Sequence, residues 1–223
     1  MGTDTRSLSI FGLGYVGSVT AACLAHKGHR LIGVDVNPDK VEMLEAGRSP
    51  VIEAQLDELV AESHQAGLLH ATTDTSAAIA QSDVSFACVG TPSHRNGKID
   101  VTQIEHVCRE IGRGLAGKNS YHTIVLRSTV LSGTTQLMVI PALESSSQKR
   151  AGVDFAVCYN PEFMREGTAV ADFFEPPIRS WAPSRRSFWS HCARFMAGFR
   201  AWFLKSLWLW PKWPNMSRTP SML

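Results

Sequence analysis

The feature that most constrains this chain is a glycine-rich turn between an apolar strand and a helix. Gly12, Gly14 and Gly17 form the pattern GxGxxG between the strand-like run 8–11 and a helical pattern over residues 15–27. The first glycine permits a tight turn, the second lets the backbone approach a pyrophosphate, and the third lets helix and strand pack closely. The N-terminus of the helix then faces the phosphates.

An acidic residue near the end of the second strand-like run indicates which cofactor the turn would hold. The run covers residues 31–36, and its Asp35 lies 21 residues after Gly14. A carboxylate at this place can accept hydrogen bonds from a ribose 2′-hydroxyl and would repel a 2′-phosphate. The pattern therefore predicts a Rossmann-like domain that binds NAD rather than NADP. The alternative is an ordinary turn followed by an aspartate that caps the next helix.

The rest of the chain to about Asp172 alternates short apolar runs with helical patterns, as a parallel α/β sheet requires. Strands are expected at residues 84–89, 123–126 and 155–158, and helices at 38–46, 56–67, 101–115 and 134–143. We predict an α/β fold with a doubly wound parallel sheet, which forms one NAD-binding domain over residues 1–177.

Polar segments follow three of the predicted strands. Thr91 lies in VGTPS, Thr129 in RSTV, and Glu162, Arg165 and Glu166 in NPEFMREG. Doubly wound folds bind ligands at this carboxyl edge of the sheet, so the hydroxyls are candidates for ribose or substrate contacts. The two carboxylates and the arginine are candidates for proton handling or for binding a sugar diphosphate. Taken singly, the hydroxyls are explained as well by strand-end caps, and the acidic segment by an exposed helix start.

Five segments together resemble a known family in order and spacing. They are FGLGYVG, GVDVNPDKV, SDVSFACVGTPS, RSTVLSGTT and NPEFMREGTAVADF, and they resemble the UDP-glucose/GDP-mannose dehydrogenase family over nearly all of residues 7–177. GRSPVIE, the loop VGTPSHRNGKID and the helix CREIG look most like its GDP-mannose branch. The resemblance implies two successive oxidations of a sugar C6 alcohol to a carboxylate. It also implies two NAD reduced per turnover and a cysteine that holds the intermediate as a thioester.

The resemblance also implies roles for individual residues. The cofactor NAD would be contacted by Gly12, Gly14, Tyr15, Val16, Gly17, Asp35, Lys40, Thr91 and Thr129. The nucleotide sugar would be faced by Met164, Arg165 and Glu166, with Glu162 or Glu166 assisting proton transfer or positioning the attacking water. GDP-mannose is the expected substrate and UDP-glucose the alternative, because this half of the family's enzymes does not read the nucleobase or the sugar C2 configuration. The intact family enzyme would be a homo-oligomer, formed through a region beyond the matched segments.

The composition of the chain changes abruptly after Pro177. Residues 178–223 carry eight of the 22 basic residues, none of the 20 acidic residues and all six tryptophans. Three segments that the family resemblance leads us to expect next are absent from this sequence: a strand, a helix with a lysine and an asparagine, and a GGxCxxKD segment with the nucleophile. We therefore assign no catalytic cysteine.

A translation shifted by one nucleotide would account for this change. Between residues 204 and 223 the shifted frame permits EVPLAVAEMAKYVENAFHA, which resembles the missing helix. We therefore expect residues 178–223 to be an out-of-frame tail without a domain. An NAD-binding fragment without catalysis is the competing function. A membrane-surface or nucleic-acid role for the tail is disfavoured, because Pro211, Pro214 and Pro220 interrupt any helix there and no recognition motif accompanies the basic residues.

Other sequence features favour a cytoplasmic protein. The N-terminus lacks the basic start and apolar stretch of a signal peptide, and no apolar run is long enough to span a bilayer. The five cysteines form no CxxC pair, which favours free thiols, and the eight histidines show no metal-ligand spacing. We expect neither a metal site nor a nucleic-acid or membrane partner.

Overall fold

The structure is a computed structural model that describes residues 5–93, 97, 99–160 and 162–175, and the backbone of residues 182–183. The strands are β1 Ser7–Phe11, β2 Arg30–Val34, β3 Leu69–Thr72, β4 Val84–Ala87, β5 His122–Leu126, β6 Phe155–Tyr159 and β7 Ala182–Pro183. The α-helices are α1 Tyr15–His26, α2 Pro38–Glu45, α3 Leu56–Gln65, α4 Thr75–Gln81, α5 Thr102–Ala116, α6 Ile140–Ser147 and α7 Ala169–Phe174. A π-helical turn, Thr135–Val139, leads directly into α6.

The strands form one sheet in the order β3-β2-β1-β4-β5-β6-β7. The first six are parallel, and the two residues of β7 pair antiparallel with β6. The chain builds outward from β1 to β3, then crosses back so that β4 lies on the other side of β1. This reversal opens a crevice at the carboxyl ends of β1 and β4, where doubly wound sheets bind ligands. The predicted α/β class and doubly wound parallel sheet are confirmed.

Side chains of each strand alternate between two cores, one on each face of the sheet. In β1, Leu8 and Ile10 belong to a buried cluster that includes residues of α1, α3 and α7. Phe11 belongs to a second cluster, which includes residues of α4, α5 and α6. Both faces are thus covered by helices, as a parallel sheet requires. None of the helices in the described ranges is both long and apolar enough to cross a membrane.

Several elements differ from those expected from the sequence. β3, α4 and α7 were not assigned, while β2 and β4 end at Val34 and Ala87, before the predicted ends. The helix expected at residues 134–143 is a π-helical turn followed by α6, which continues to Ser147. Pro141 lies in the first turn of α6, and a proline has no N–H to donate back along the helix. The missing donor explains why the hydrogen-bond ladder is displaced there. Most of the expected tail lies outside the described residues.

A row of buried polar side chains crosses the middle of the sheet. Ser9 on β1 is 2.7 Å from the hydroxyl of Ser85 on β4, which in turn is 2.8 Å from Nε2 of His122 on β5. Beside this row, the buried ammonium of Lys118 donates to the carbonyl oxygens of Ile79 (2.7 Å) and of Ser82. Burial, reinforced by the positive charge of Lys118, lowers the pKa of His122 to about 3.

We predict that His122 makes the fold sensitive to acid. The pKa of His122 is about 3 in the folded chain, below the ordinary value of 6.5. Between pH 6.5 and 3, His122 is therefore protonated in the unfolded chain but neutral in the folded chain. The contribution of His122 to the free energy of unfolding is fully present above pH 6.5. It falls by about 1.4 kcal/mol per pH unit as the pH is lowered from 6.5 towards 3. Urea unfolding across this range should show that slope flattened in His122→Gln and kept in His106→Gln, which removes an exposed histidine. Equal slopes in all three proteins would contradict the prediction.

Candidate functional site

The glycine-rich turn follows β1 directly and is shaped by two close backbone approaches. Gly12 has φ +95°, and its N–H donates to the carbonyl oxygen of Val34 over 2.8 Å. A Cβ added at Gly17 would lie 1.8 Å from the carbonyl oxygen of Gly12, so only glycine lets α1 start this close to the strand. A Cβ at Gly14 would meet no atom within 4 Å. The second glycine therefore presents open backbone, as the approach of a pyrophosphate requires.

Asp35 is fixed beside this turn. Its Oδ2 accepts a 2.6 Å hydrogen bond from the N–H of Leu13, and its Oδ1 accepts a 2.9 Å bond from the N–H of Asn37. The ammonium of Lys40 is 3.5 Å from Oδ2, and the Asp35 side chain is only 9% exposed. The carboxylate is thus held rigidly at the end of β2, with a positive charge beside it.

A cleft of about 700 Å³ opens at the crevice between β1 and β4. Of the residues predicted to contact the cofactor, Gly12, Gly14, Asp35 and Lys40 line it. Sequence reasoning missed the opposite wall, which includes the α5 residues Gln103, His106, Val107, Arg109, Glu110 and Arg113. The turn, the open glycine and the carboxylate fit the pyrophosphate and ribose of a dinucleotide, and the cleft is large enough for its adenosine half.

The other residues predicted to contact the cofactor do not line the cleft. Gly17 is buried under the turn, and Val16 packs partly buried against the first core cluster. Thr91 donates its hydroxyl to the carbonyl oxygen of Thr129 over 2.9 Å, which ties together the chain segments that follow β4 and β5. The two threonines therefore lie together at the carboxyl edge, as the sequence predicts, and their direct bond serves loop structure.

Residues 162–167, hereafter the acidic loop, lie beyond the end of β6. The Oε2 of Glu162 accepts a 2.8 Å bond from the N–H of Met164. Glu162 also lies close enough to the buried guanidinium of Arg127 to influence its pKa, which burial lowers and the carboxylate partly restores. Arg127 in turn donates to Oδ1 of Asn160, just ahead of the loop. Glu162 is thus set in a fixed place near a buried positive charge.

The two charged residues that follow in the acidic loop are more exposed. The guanidinium of Arg165 donates to both carboxylate oxygens of Asp172, over 2.8 and 3.0 Å, and these bonds lower the pKa of Asp172. Glu166 is exposed. The loop therefore offers one fixed carboxylate, one solvent-facing carboxylate and an arginine that already has a partner.

Tyr15, the first residue of α1, points towards the acidic loop. Its hydroxyl donates to Glu53 and lies 3.3 Å from the carbonyl oxygen of Arg165. Burial, with the hydrogen bond and charge of Glu53, raises the pKa of Tyr15. Burial also acts to raise the pKa of Glu53, but the bonds it accepts from Tyr15 and from the backbone N–H groups of Gly167 and Ala169 outweigh burial and lower it. Glu53 was not among the predicted site residues, although GRSPVIE had supported the resemblance.

The described cysteines are unsuited to nucleophilic chemistry. Cys23, Cys88 and Cys108 are free and buried, and burial raises the pKa of each to about 12. A thiol with such a pKa carries almost no thiolate at neutral pH. Cys158 is disulfide-bonded, so the expectation of free thiols is wrong for that residue. No group of three or more potential metal ligands occurs within the described ranges.

Comparisons with known proteins agree with this geometry. Residues 6–178 match the sequence profile of the UDP-glucose/GDP-mannose dehydrogenase family, NAD binding domain. Over 171 residues the chain is 53% identical to GDP-mannose 6-dehydrogenase of Pseudomonas aeruginosa, and over 169 residues 42% identical to a UDP-glucose 6-dehydrogenase of Haloferax volcanii. These alignments cover 77% and 76% of this chain. The chain spans only 39% of the length of either relative.

Two solved structures are also similar. A GDP-mannose dehydrogenase from Pseudomonas aeruginosa, crystallised as a ternary complex, superposes with a TM-score of 0.83 at 47% identity, over 87% of this chain and 44% of that one. A UDP-glucose dehydrogenase from Pyrobaculum islandicum gives a TM-score of 0.82 at 37% identity, over 90% of this chain and 45% of that one.

We predict that Asp35 sets the preference for NAD⁺ over NADP⁺. Asp35→Asn keeps an oxygen that can accept from Leu13 but loses the negative charge that would repel a 2′-phosphate. We expect the Kd for NAD⁺ to rise about tenfold and the preference over NADP⁺ to shrink by at least as much. Calorimetric titration of both cofactors measures this. Asp39→Asn, which removes an exposed charge four residues away, should leave both constants unchanged; an unaltered preference in Asp35→Asn would contradict the prediction.

Proposed function

This chain belongs to the UDP-glucose/GDP-mannose dehydrogenase family and carries its NAD-binding domain, and from that premise we propose that it serves the oxidation of GDP-mannose at C6 to GDP-mannuronate. One observation supports this above all. The glycine-rich turn and the acidic loop meet at the same edge of the sheet, where the hydroxyl of Tyr15 contacts both Glu53 and the backbone of Arg165. A cofactor site and a set of proton-handling carboxylates are thereby joined, as oxidation of an alcohol needs.

The choice of GDP-mannose rests on sequence similarity rather than on a contact in the site. Identity is higher to the GDP-mannose 6-dehydrogenases than to the UDP-glucose 6-dehydrogenases among the relatives. GRSPVIE and CREIG point the same way. UDP-glucose remains the alternative substrate. The product GDP-mannuronate would serve polysaccharide biosynthesis, with alginate-like polymers as the expected use.

The cofactor side of the proposal assigns roles to residues of the cleft wall. Gly12 and Gly14 would admit the pyrophosphate, and Asp35, steadied by Leu13 and Lys40, would accept hydrogen bonds from the adenosine ribose. NAD⁺ bound here would accept one hydride in each oxidation, so two NAD⁺ would be used in succession per turnover. Further contacts with the cofactor, through backbone or side-chain atoms at the same edge, would come from Tyr15, Val16, Thr91 and Thr129.

The substrate side is assigned to the acidic loop. Glu162 is fixed by its bond from Met164 and faces the charge of Arg127, so it is suited to orient a water or receive a proton. Glu166 is exposed and free to meet a substrate or exchange protons with solvent. Met164 and Arg165 would face the nucleotide sugar, and Asp172 fixes the orientation of the Arg165 guanidinium. In the complete reaction C6 would give up two hydrides, one to each of two NAD⁺, the oxygens bonded to C6 would release the protons, and a water would supply the second carboxylate oxygen.

We further propose that this chain does not complete the reaction. The thioester step needs an ionised cysteine, and burial keeps the pKa of Cys23, Cys88 and Cys108 at about 12. The family profile ends its match at residue 178, three residues after Glu175, the last acidic residue of the chain. Both observations support an out-of-frame segment over residues 178–223. The competing function, NAD binding without catalysis, describes what this chain itself would then do.

Binding and turnover distinguish these statements. We expect the chain to bind NAD⁺, measured by calorimetry, and to form no NADH when GDP-mannose is added. A gene whose frame is restored by one nucleotide near the codons for residues 176–178 should yield a protein that forms two NADH per GDP-mannose and reacts more slowly with UDP-glucose. NADH formation by the unaltered chain would contradict its inactivity, and faster turnover of UDP-glucose would contradict the substrate assignment.

The frame itself is tested on the DNA. Resequencing the coding strand across residues 173–180 should show one base more or fewer than this amino-acid sequence implies, if the gene itself encodes the complete enzyme. An unchanged DNA sequence that reads AExxKYxxN in the shifted frame would place the shift in the genome. A shifted frame with early stop codons would contradict the proposal.

A further inference from the structure

Glu53 lies outside the cleft wall, yet both of its carboxylate oxygens are used by residues remote in sequence. Oε2 accepts from the hydroxyl of Tyr15 and, over 2.8 Å, from the N–H of Gly167. Oε1 accepts a 3.0 Å bond from the N–H of Ala169. The two amide groups belong to the end of the acidic loop and the first residue of α7. One carboxylate thus joins the first residue of α1 to the segment that follows β6.

The loop is also fixed on its own side, but by a different carboxylate. Asp172 accepts from the N–H of Arg165 over 2.9 Å and from the hydroxyl of Thr168 over 3.2 Å, besides the guanidinium of Arg165. These bonds fold the segment 165–172 onto itself. Glu53 supplies the carboxylate bonds that join that folded segment to the other half of the domain, beside the apolar packing of Ala169 and Val170 in the first core cluster.

Glu53 is itself held in place by its surroundings. The N–H of Ser49 donates to Oδ1 of Asp57 over 2.8 Å, and the hydroxyl of Ser49 donates to the carbonyl oxygen of Val51 over 2.7 Å. These bonds tie the segment before Glu53 to the first turn of α3. A carboxylate presented from such a segment can set the position of a partner, because its own position is already fixed.

We propose that Glu53 is a positioning residue that holds the acidic loop against the first residue of α1, and thereby links occupation of the cofactor cleft to the geometry of that loop. The link passes through adjacent residues, since Gly14 lines the cleft and Tyr15 follows it. A cofactor that fixes the start of α1 fixes the Tyr15 hydroxyl, and Glu53 transmits that order to Gly167 and Ala169. The assignment of the acidic loop to the sugar rests on the proposed function, whereas the link itself does not.

Hydrogen exchange in the full-length chain tests the link without any sugar. Amide exchange of residues 162–170 is followed by mass spectrometry with and without NAD⁺, in the original protein, Glu53→Gln and Tyr15→Phe. In the original protein NAD⁺ should slow exchange of this segment several-fold. Glu53→Gln should speed it about tenfold without cofactor, because an amide cannot accept all the bonds of a carboxylate. Both variants should lose the slowing by NAD⁺. The double variant should exchange no faster than Glu53→Gln alone, because both changes remove the same link.

Glu58→Gln is the matched control, since it removes an exposed glutamate charge on α3 and should keep the original exchange pattern. The proposal is overturned by unchanged exchange in Glu53→Gln, by faster exchange throughout the domain, or by an NAD⁺ effect that is absent from the original protein or survives in Glu53→Gln. Failure of the proposed function would appear elsewhere, as a frame-restored protein that does not oxidise GDP-mannose.

Discussion

The close approach of Gly17 to the carbonyl oxygen of Gly12 is the constraint on which the rest of the site depends. Because no Cβ intervenes, α1 begins directly against the end of β1. That placement turns the first N–H groups of the helix towards the crevice between β1 and β4, leaves Gly14 open, and brings Leu13 within reach of Asp35. It also aims Tyr15 across the sheet edge at Glu53. One backbone contact thus positions the cofactor cleft and its connection to the acidic loop.

The sequence predicted the fold wherever apolar periodicity was strong. β1, β4, β5 and β6 are short buried runs, α1 is buried on all sides over residues 17–25, and α5 has a clear buried face. The places of these elements therefore follow from burial alone. β3 was missed because its residues LHAT are half polar, which suits the edge strand it forms. α4 and α7 are short and follow their neighbours closely. Helices of this length derive their stability from packing on the sheet, which local sequence does not reveal.

The site was predicted to the extent that its contacts are local in sequence. Gly12, Gly14 and Asp35 follow from a turn and a spacing, and the structure brings them together around one cleft. The wall formed by His106, Arg109 and Arg113 was missed, because periodicity identifies the buried face of α5 but not what lies opposite its exposed face. Glu53 was missed for a related reason, since nothing in GRSPVIE shows that two of its partners, Gly167 and Ala169, lie more than a hundred residues away.

That separation bears on the order in which the domain assembles. The bonds from Gly167 and Ala169 to Glu53 close loops of 114 and 116 residues, whereas the bond from Leu13 to Asp35 spans only 22. Closing a longer loop costs more chain entropy, and contacts of long range form late in folding. The cofactor cleft can therefore reach its final shape while β6 and α7 are still being added. A chain emerging from the ribosome would acquire its dinucleotide turn well before the acidic loop has anything to attach to.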